Sequence, residues 1–139
     1  SGAIDDSIAD LKTAVRLRPS NPYPVIWLHI ARVHKGESDR EEFAANAMAV
    51  KRGAWPGAML DMYLGLLDAD KVKAAAQQGP SREKSKRQCE ANFFLGELAL
   101  HNGQIEQARD ALREVTSTCG PAETVYSAAV AEAKLLPRQ

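Results

Sequence analysis

Apolar residues recur every three or four positions along most of this chain, which is the spacing of amphipathic helices. In the first segment, for example, Ile4, Ile8, Leu11 and Val15 fall on one helical face. Alternating apolar and polar stretches joined by a tight Asn-Gly or Asp-Gly turn, the signal of a β-hairpin, are not found. The pattern therefore predicts an all-α protein. Its eight helices are expected at about 4–17, 23–35, 39–52, 56–68, 69–78, 86–102, 104–118 and 121–136.

Prolines and glycines mark the ends of these segments. Two prolines in 19–22 cannot continue the first helix. The second helix is predicted to end at Gly36, and Gly103 follows a helical stripe where a left-handed cap residue is expected. The stretch 79–87 carries four basic residues against one acid and is predicted to be a connector. A solvated loop is the simpler interpretation, and a basic docking segment for an acidic partner is the alternative.

One short motif recurs along the chain: an aromatic residue, then Leu, then a small or polar residue. It is found as Trp27-Leu28-His29, Tyr63-Leu64-Gly65 and Phe94-Leu95-Gly96. The leucines of successive motifs are 36 and 31 residues apart. Their average distance is close to the period of about 34 residues that is typical of helical-hairpin repeats. With the turn residue Gly103 and the small residue Ala108, the pattern resembles the tetratricopeptide repeat. The resemblance implies one domain over 1–139, an α-solenoid of stacked helix hairpins with a concave inner face.

A more specific resemblance extends over residues 27–128. The order of short motifs is similar to that in the C-terminal half of NlpI-type outer-membrane lipoproteins. The motifs are Trp27-Leu28, Ala31-Arg32, Gly36-Glu37, Trp55-Pro56, Tyr63-Leu64-Gly65 and Glu90-Ala91-Asn92-Phe93. This resemblance implies a non-catalytic adaptor that docks periplasmic proteases or cell-wall hydrolases and is periplasmic or outer-membrane-anchored in full length. The alternative is a cytoplasmic tetratricopeptide interaction domain with unrelated partners.

The repeat resemblance also implies where a partner would bind, namely on the inner face of the first helix of each hairpin. The residues at those positions are Tyr23, Ile26, Ile30, His34, Met62, Phe93, Glu97 and His101. They are mostly apolar, which favours an apolar or amphipathic peptide or a partner helix over a bound C-terminal carboxylate. The competing interpretation is that the same residues pack between stacked helices.

Composition narrows the class of partner. The chain has 18 basic and 18 acidic residues, whereas a nucleic-acid-binding protein needs an excess of cations. No apolar run approaches the roughly 20 residues that span a bilayer. Ser1-Gly2 resembles the remnant of a cleaved tag. The first repeat unit lacks its first helix, because the chain begins within the second helix of a hairpin. We therefore expect a longer natural protein, with the face around Ile8 partly uncovered unless another protomer covers it in a homo-oligomer.

Residues for catalysis, cofactors or metals are not predicted. No Gly-x-Ser-x-Gly, phosphate-binding Gly-Lys-Ser/Thr or dinucleotide pattern is present. His29 and His34 are five residues apart, so they do not share a helical face, and both are interpreted as surface histidines. A helical segment cut from an enzyme remains the least favoured alternative.

The two cysteines fall at neighbouring ends of one predicted hairpin. Cys89 lies near the start of its first helix, and Cys119 follows its second helix. We therefore predict a disulfide between them, which would imply an oxidising compartment. The alternative is two unpaired, half-buried thiols.

Overall fold

The structure is a computed structural model that describes residues 2–137, and this part of the chain contains eight α-helices and no strand. The helices are α1 (Gly2–Leu17), α2 (Pro22–His34), α3 (Arg40–Met48), α4 (Gly57–Tyr63), α5 (Ala69–Ala76), α6 (Ser81–His101), α7 (Ile105–Thr118) and α8 (Thr124–Leu135). The predicted all-α class with about eight helices is confirmed. Ser1, half of the expected tag remnant, lies outside the described residues.

The chain divides into two compact units between Leu67 and Asp68. In the N-terminal unit, α2 packs against α1, α3 and α4. In the C-terminal unit, α6 packs against α5, α7 and α8. The second helix of each unit therefore contacts the helix before it and the two helices after it.

Ile8 lies in the core of the N-terminal unit. It is buried against Leu28 and Ala31 of α2, with the neighbouring apolar residues of α1, among them Ile4 and Leu11, half-buried around it. The expected exposure of this face is thus restricted to its margins, because α2 covers its centre.

The C-terminal unit is built on close contact between α6 and α7. A Cβ atom added at Gly96 would lie 3.1–3.3 Å from side-chain atoms of Leu112 and Ala111. Leu112 and Val115 are fully buried on the same side of α7. Glycine at position 96 therefore allows the two helices to approach closely, which is the physical reason for the Leu95-Gly96 pair in the motif.

Helices α2, α4 and α6 end in the same way. Each is followed by a glycine in the left-handed region: Gly36 at φ 81°, Gly65 at φ 79° and Gly103 at φ 75°. The amide of the residue after each glycine donates to the carbonyl five residues earlier, at 2.8–2.9 Å. This Schellman arrangement satisfies carbonyls that the helix leaves unbonded, and only glycine adopts the conformation without strain.

These helix ends correct the predicted register of the middle repeat. Gly65 was expected to correspond to Gly96, in the middle of a helix over 56–68. Instead α4 ends at Tyr63, so Gly65 corresponds to the helix-ending glycines at 36 and 103. Sequence similarity alone could not separate the two roles, because glycine serves both close packing and the left-handed cap.

The connector predicted at 79–87 is also wrong for most of its length. Helix α6 begins at Ser81, five residues before its predicted start. Lys, Arg and Glu are good helix formers, so a polar, charged segment can extend a helix that is packed further along its length. Helix α3 ends at Met48 rather than near 52, and α8 begins at Thr124 rather than at 121.

Candidate interaction surface

Burial separates the predicted partner-binding residues into two groups. Five are buried: Ile26 at 0%, Ile30 at 3%, Met62 at 5%, Phe93 at 1% and Glu97 at 0% relative exposure. In this conformation they pack inside the protein and cannot contact a partner. Surface patterning cannot distinguish a stripe that binds a ligand from one that binds a neighbouring helix, because both need the same apolar residues at the same spacing.

The other three predicted residues are accessible to different degrees. Tyr23 is half-buried and His34 is exposed on α2, while His101 is half-buried at the end of α6. Tyr23 and His34 lie on one face of α2, and the half-buried Trp27, four residues after Tyr23, lies between them. Trp27 belongs to the sequence motifs but is not among the predicted partner-binding residues. We call Tyr23, Trp27 and His34 the α2 stripe.

Local capping fixes the start of the α2 stripe. The Asn21 side chain accepts a hydrogen bond from the Tyr23 amide at 3.1 Å, and Pro22 begins the helix. An Asn cap satisfies an otherwise unbonded amide. Proline is tolerated near the helix start because the N–H group that it lacks would have no partner within the helix. The first turn that carries Tyr23 is therefore well defined.

His29 is a structural residue rather than the surface histidine predicted. Its Nδ1 lies 2.8 and 3.0 Å from the two carboxylate oxygens of Asp39. Since an ionised carboxylate only accepts, Nδ1 donates the proton. The ring stacks on Phe43 with centroids 4.2 Å apart and meets Tyr63 edge-on at 5.7 Å. This contact also explains why Asp39, at the N-cap position of α3, does not cap that helix with its side chain.

A charged network surrounds the C-terminal end of α2. Arg32 donates from Nε and one terminal nitrogen to both oxygens of Glu42, at 3.1 and 3.0 Å, and from the other to Glu37 at 2.9 Å. Lys35 pairs with Asp5 of α1 and lies 3.6 Å from Glu37. The hydrogen bond from Arg32 holds the pKa of Glu37 below its usual value, and the hydrogen bond from Lys35 does the same for Asp5. The network ties α2 to α1 and α3.

Helix α6 carries two acids where an ordinary surface helix would bury apolar residues. Glu90 is 7% exposed and Glu97 is fully buried. Glu97 Oε2 lies 3.9 Å from His101 Nε2, one turn later on the same helix. Acids are almost never fully buried unless paired, so the contact with His101 belongs to the internal packing of α6. Glu97 therefore does not line an accessible face, whereas His101 remains half-buried.

The structure joins Cys89 and Cys119 by a disulfide. Their Cα atoms are 5.8 Å apart, and both side chains are buried. Cys89 lies in the third turn of α6, and Cys119 directly follows α7, so the bond and the Gly103 turn hold the two helices antiparallel. The bond therefore fixes the open end of the hairpin, opposite its turn.

Comparison with known proteins returned no match to a protein-family model and no match to a curated protein. Within residues 2–137, every helix is too short or too polar to cross a membrane.

Proposed function

We propose that this chain is a non-catalytic adaptor of the tetratricopeptide-repeat type that binds an apolar or amphipathic segment of a partner protein. The observation that carries the proposal is the repeated geometry of α2, α4 and α6. All three end in the same Schellman arrangement, at Gly36, Gly65 and Gly103. Helices α2 and α6 also have equivalent neighbours within their own units. Repeated helical units of this kind typically present extended surfaces for protein partners.

The proposed contact surface is the α2 stripe. Burial removes Ile26 and Ile30 from direct contact, whereas Tyr23, Trp27 and His34 keep accessible surface. Tyr and Trp are frequent at the centres of protein interfaces, because each offers a large apolar area together with one hydrogen-bonding group. A partner helix or extended peptide along α2 would contact all three.

The proposed compartment is an oxidising one, the bacterial periplasm, as the resemblance to NlpI-type lipoproteins implies. The Cys89–Cys119 bond supports this assignment, because disulfides persist in oxidising compartments and are rare in the cytosol. The proposed partners are the proteases or cell-wall hydrolases that such adaptors dock.

Site-specific photo-crosslinking tests this proposal. A photoreactive phenylalanine analogue is placed at position 34 on the α2 stripe, or at the exposed Thr13 on α1 as a matched control. Each protein is incubated with a periplasmic extract of the source cells, and the crosslinked proteins are identified by mass spectrometry. We expect one or a few specific proteins to crosslink from position 34 and not from position 13.

A competition experiment then tests the chemistry of the contact. Unlabelled protein should suppress crosslinking, and the double variant Tyr23→Ala/Trp27→Ala should suppress it less, provided that circular dichroism shows unchanged helix content. Equal competition by both proteins would refute the α2 stripe as the contact surface. Absence of a specific crosslink from any exposed helical position would refute the adaptor function itself.

A further inference from the structure

The first two turns of α6, together with the adjacent helix α5, carry a group of exposed cations at one end of the C-terminal unit. The disulfide places Cys89 level with the end of α7, so residues 81–88 extend beyond the hairpin. Arg82, Lys84 and Lys86 are exposed on this extension. Lys71 and Lys73 are exposed on the preceding helix α5, which packs against α6, and the exposed Asp70 lies beside them in the sequence. We call the five residues Lys71, Lys73, Arg82, Lys84 and Lys86 the basic end.

The start of α6 is held in place by Arg87, a cation that does not belong to the basic end. Arg87 donates to the Gln78 carbonyl at 2.8 Å and to Glu83 at 2.9 Å, which anchors the turn between α5 and α6. None of the five residues of the basic end supplies the side chain that makes this anchor. Cations in the first turns of a helix also face the positive end of its dipole, so their presence there opposes helix stability.

The same unit carries an acidic surface on α7. Glu106, Asp110 and Glu114 are exposed and follow one another every four residues, so they share one side of the helix. Glu106 also pairs with Arg109 at 3.6 Å, and Arg113 is exposed beside the other two, so the three acids and two cations leave one net negative charge. We call the three carboxylates the acidic stripe.

The two surfaces are too far apart to satisfy each other within one molecule. At 1.5 Å per residue, Lys86 lies about 4.5 Å beyond the disulfide, and Glu114 lies about 7.5 Å from it in the other direction. The nearest charges of the two surfaces on α6 and α7 are thus separated by roughly 12 Å along the hairpin, about three times the 4 Å span of an ion pair. This separation also exceeds the Debye length of about 8 Å at physiological salt.

We propose that the basic end of one copy docks on the acidic stripe of a second copy. Arg82 and Lys86 are four residues apart on α6, which matches the four-residue spacing of Asp110 and Glu114 on α7. The chain has a formal net charge of zero at pH 7, so no overall repulsion opposes the approach of two copies. Because the two surfaces differ, the contact is head-to-tail and builds short open chains rather than a closed dimer.

Sedimentation equilibrium of the whole chain at pH 7 tests this contact. At low ionic strength the weight-average mass should rise with protein concentration above the 15.1 kDa of one copy. It should return to that value in about 0.5 M salt, because screening removes attraction between exposed charges. A mass that stays at one copy at every concentration in low salt would overturn the proposal.

Charge reversal gives a sharper test. The variants Arg82→Glu/Lys86→Glu and Asp110→Lys/Glu114→Lys should each remain at one copy, because positions 82 and 86 then have the same charge as positions 110 and 114. An equimolar mixture of the two should associate again, since every basic surface then finds an acidic one. Failure of the mixture to associate, with both variants folded by circular dichroism, would refute the pairing of these two surfaces.

A matched control separates the contact from the effect of net charge. Lys12 and Arg16 are also exposed and four residues apart, but they lie on α1 of the other unit. Lys12→Glu/Arg16→Glu changes the net charge by the same amount as the reversal on α6. In low salt, this control variant should keep at least half of the mass increase that the natural chain shows. If the control and Arg82→Glu/Lys86→Glu lost the increase equally, the proposed surface would be contradicted.

Discussion

Removal of the Cys89–Cys119 disulfide should destabilise the C-terminal unit strongly, and the double variant Cys89→Ala/Cys119→Ala tests this. The two residues are 30 positions apart in sequence, and the bond joins the third turn of α6 to the residue that follows α7, far from the Gly103 turn. In the unfolded chain the bond removes much of the conformational freedom of that loop. Without it, the unfolded state gains this entropy back.

The chain-entropy relation gives the expected size of the effect. For a loop of 30 residues the lost entropy corresponds to about 3.6 kcal/mol at 25 °C. In a unit of this size that should lower the midpoint of thermal unfolding by roughly 15–30 °C. The buried contacts of α6 with α7, at Gly96 and Leu112 among others, should still form the hairpin at low temperature.

The assay is urea unfolding followed by circular dichroism, for the natural chain and the double variant, each with and without a reducing agent. Intact mass under non-reducing conditions first establishes that the natural chain lacks two hydrogens. We expect the reductant to bring the natural chain close to the variant and to leave the variant unchanged. A loss below about 1 kcal/mol, or an equal response of both proteins to the reductant, would refute the reasoning.

Three further predictions concern packing, turns and pH. Gly96→Ala should lower the free energy of unfolding by roughly 1–3 kcal/mol through overpacking, and Leu112→Ala should lower it by about 2–5 kcal/mol. In urea unfolding, the double variant should lose less than the sum of the two single losses, and strict additivity would contradict the close contact of the two residues. At Gly65 an added Cβ atom would meet open space, but φ is positive. Gly65→Ala should therefore lower the free energy of unfolding by about 1 kcal/mol, and Gly65→Asn should lower it by less. Equal losses in the two variants would exclude left-handed strain as the cause. Because Arg32 lowers the pKa of Glu37 in the folded state, their contact should contribute stability above the ordinary pKa of 4.5 and lose it as pH falls through the lower, folded value. Glu37→Gln should therefore flatten the fall in urea midpoint between pH 6 and 3, and an unchanged slope would argue against this pair.

The sequence was sufficient for the fold class and for most helix positions. Apolar spacing of three and four residues locates all eight helices of the described residues, and Gly36 and Gly103 are recognisable in the sequence as helix ends. These features are local: a helix needs a periodic apolar face, and a left-handed cap needs a residue without a Cβ atom. Neither depends on what lies across the protein.

Two local features were nevertheless misjudged. The charged segment before Arg87 was predicted to be a loop because it is polar, yet polar residues with high helix propensity extend α6 to Ser81. Gly65 was given the packing role of Gly96, although it follows the end of α4. In both cases a residue type compatible with two structures was assigned to the wrong one.

Only the tertiary structure decided which faces of the helices remain accessible. Ile30 and Phe93 satisfy the spacing of a binding face, but each is almost completely buried, whereas Tyr23 on the same helix as Ile30 keeps accessible surface. Periodicity reports that a face avoids water and does not report what covers it, since a partner and a neighbouring helix remove the same apolar area from solvent. The identity of the covering surface depends on contacts between residues far apart in sequence, and those exist only in the folded chain.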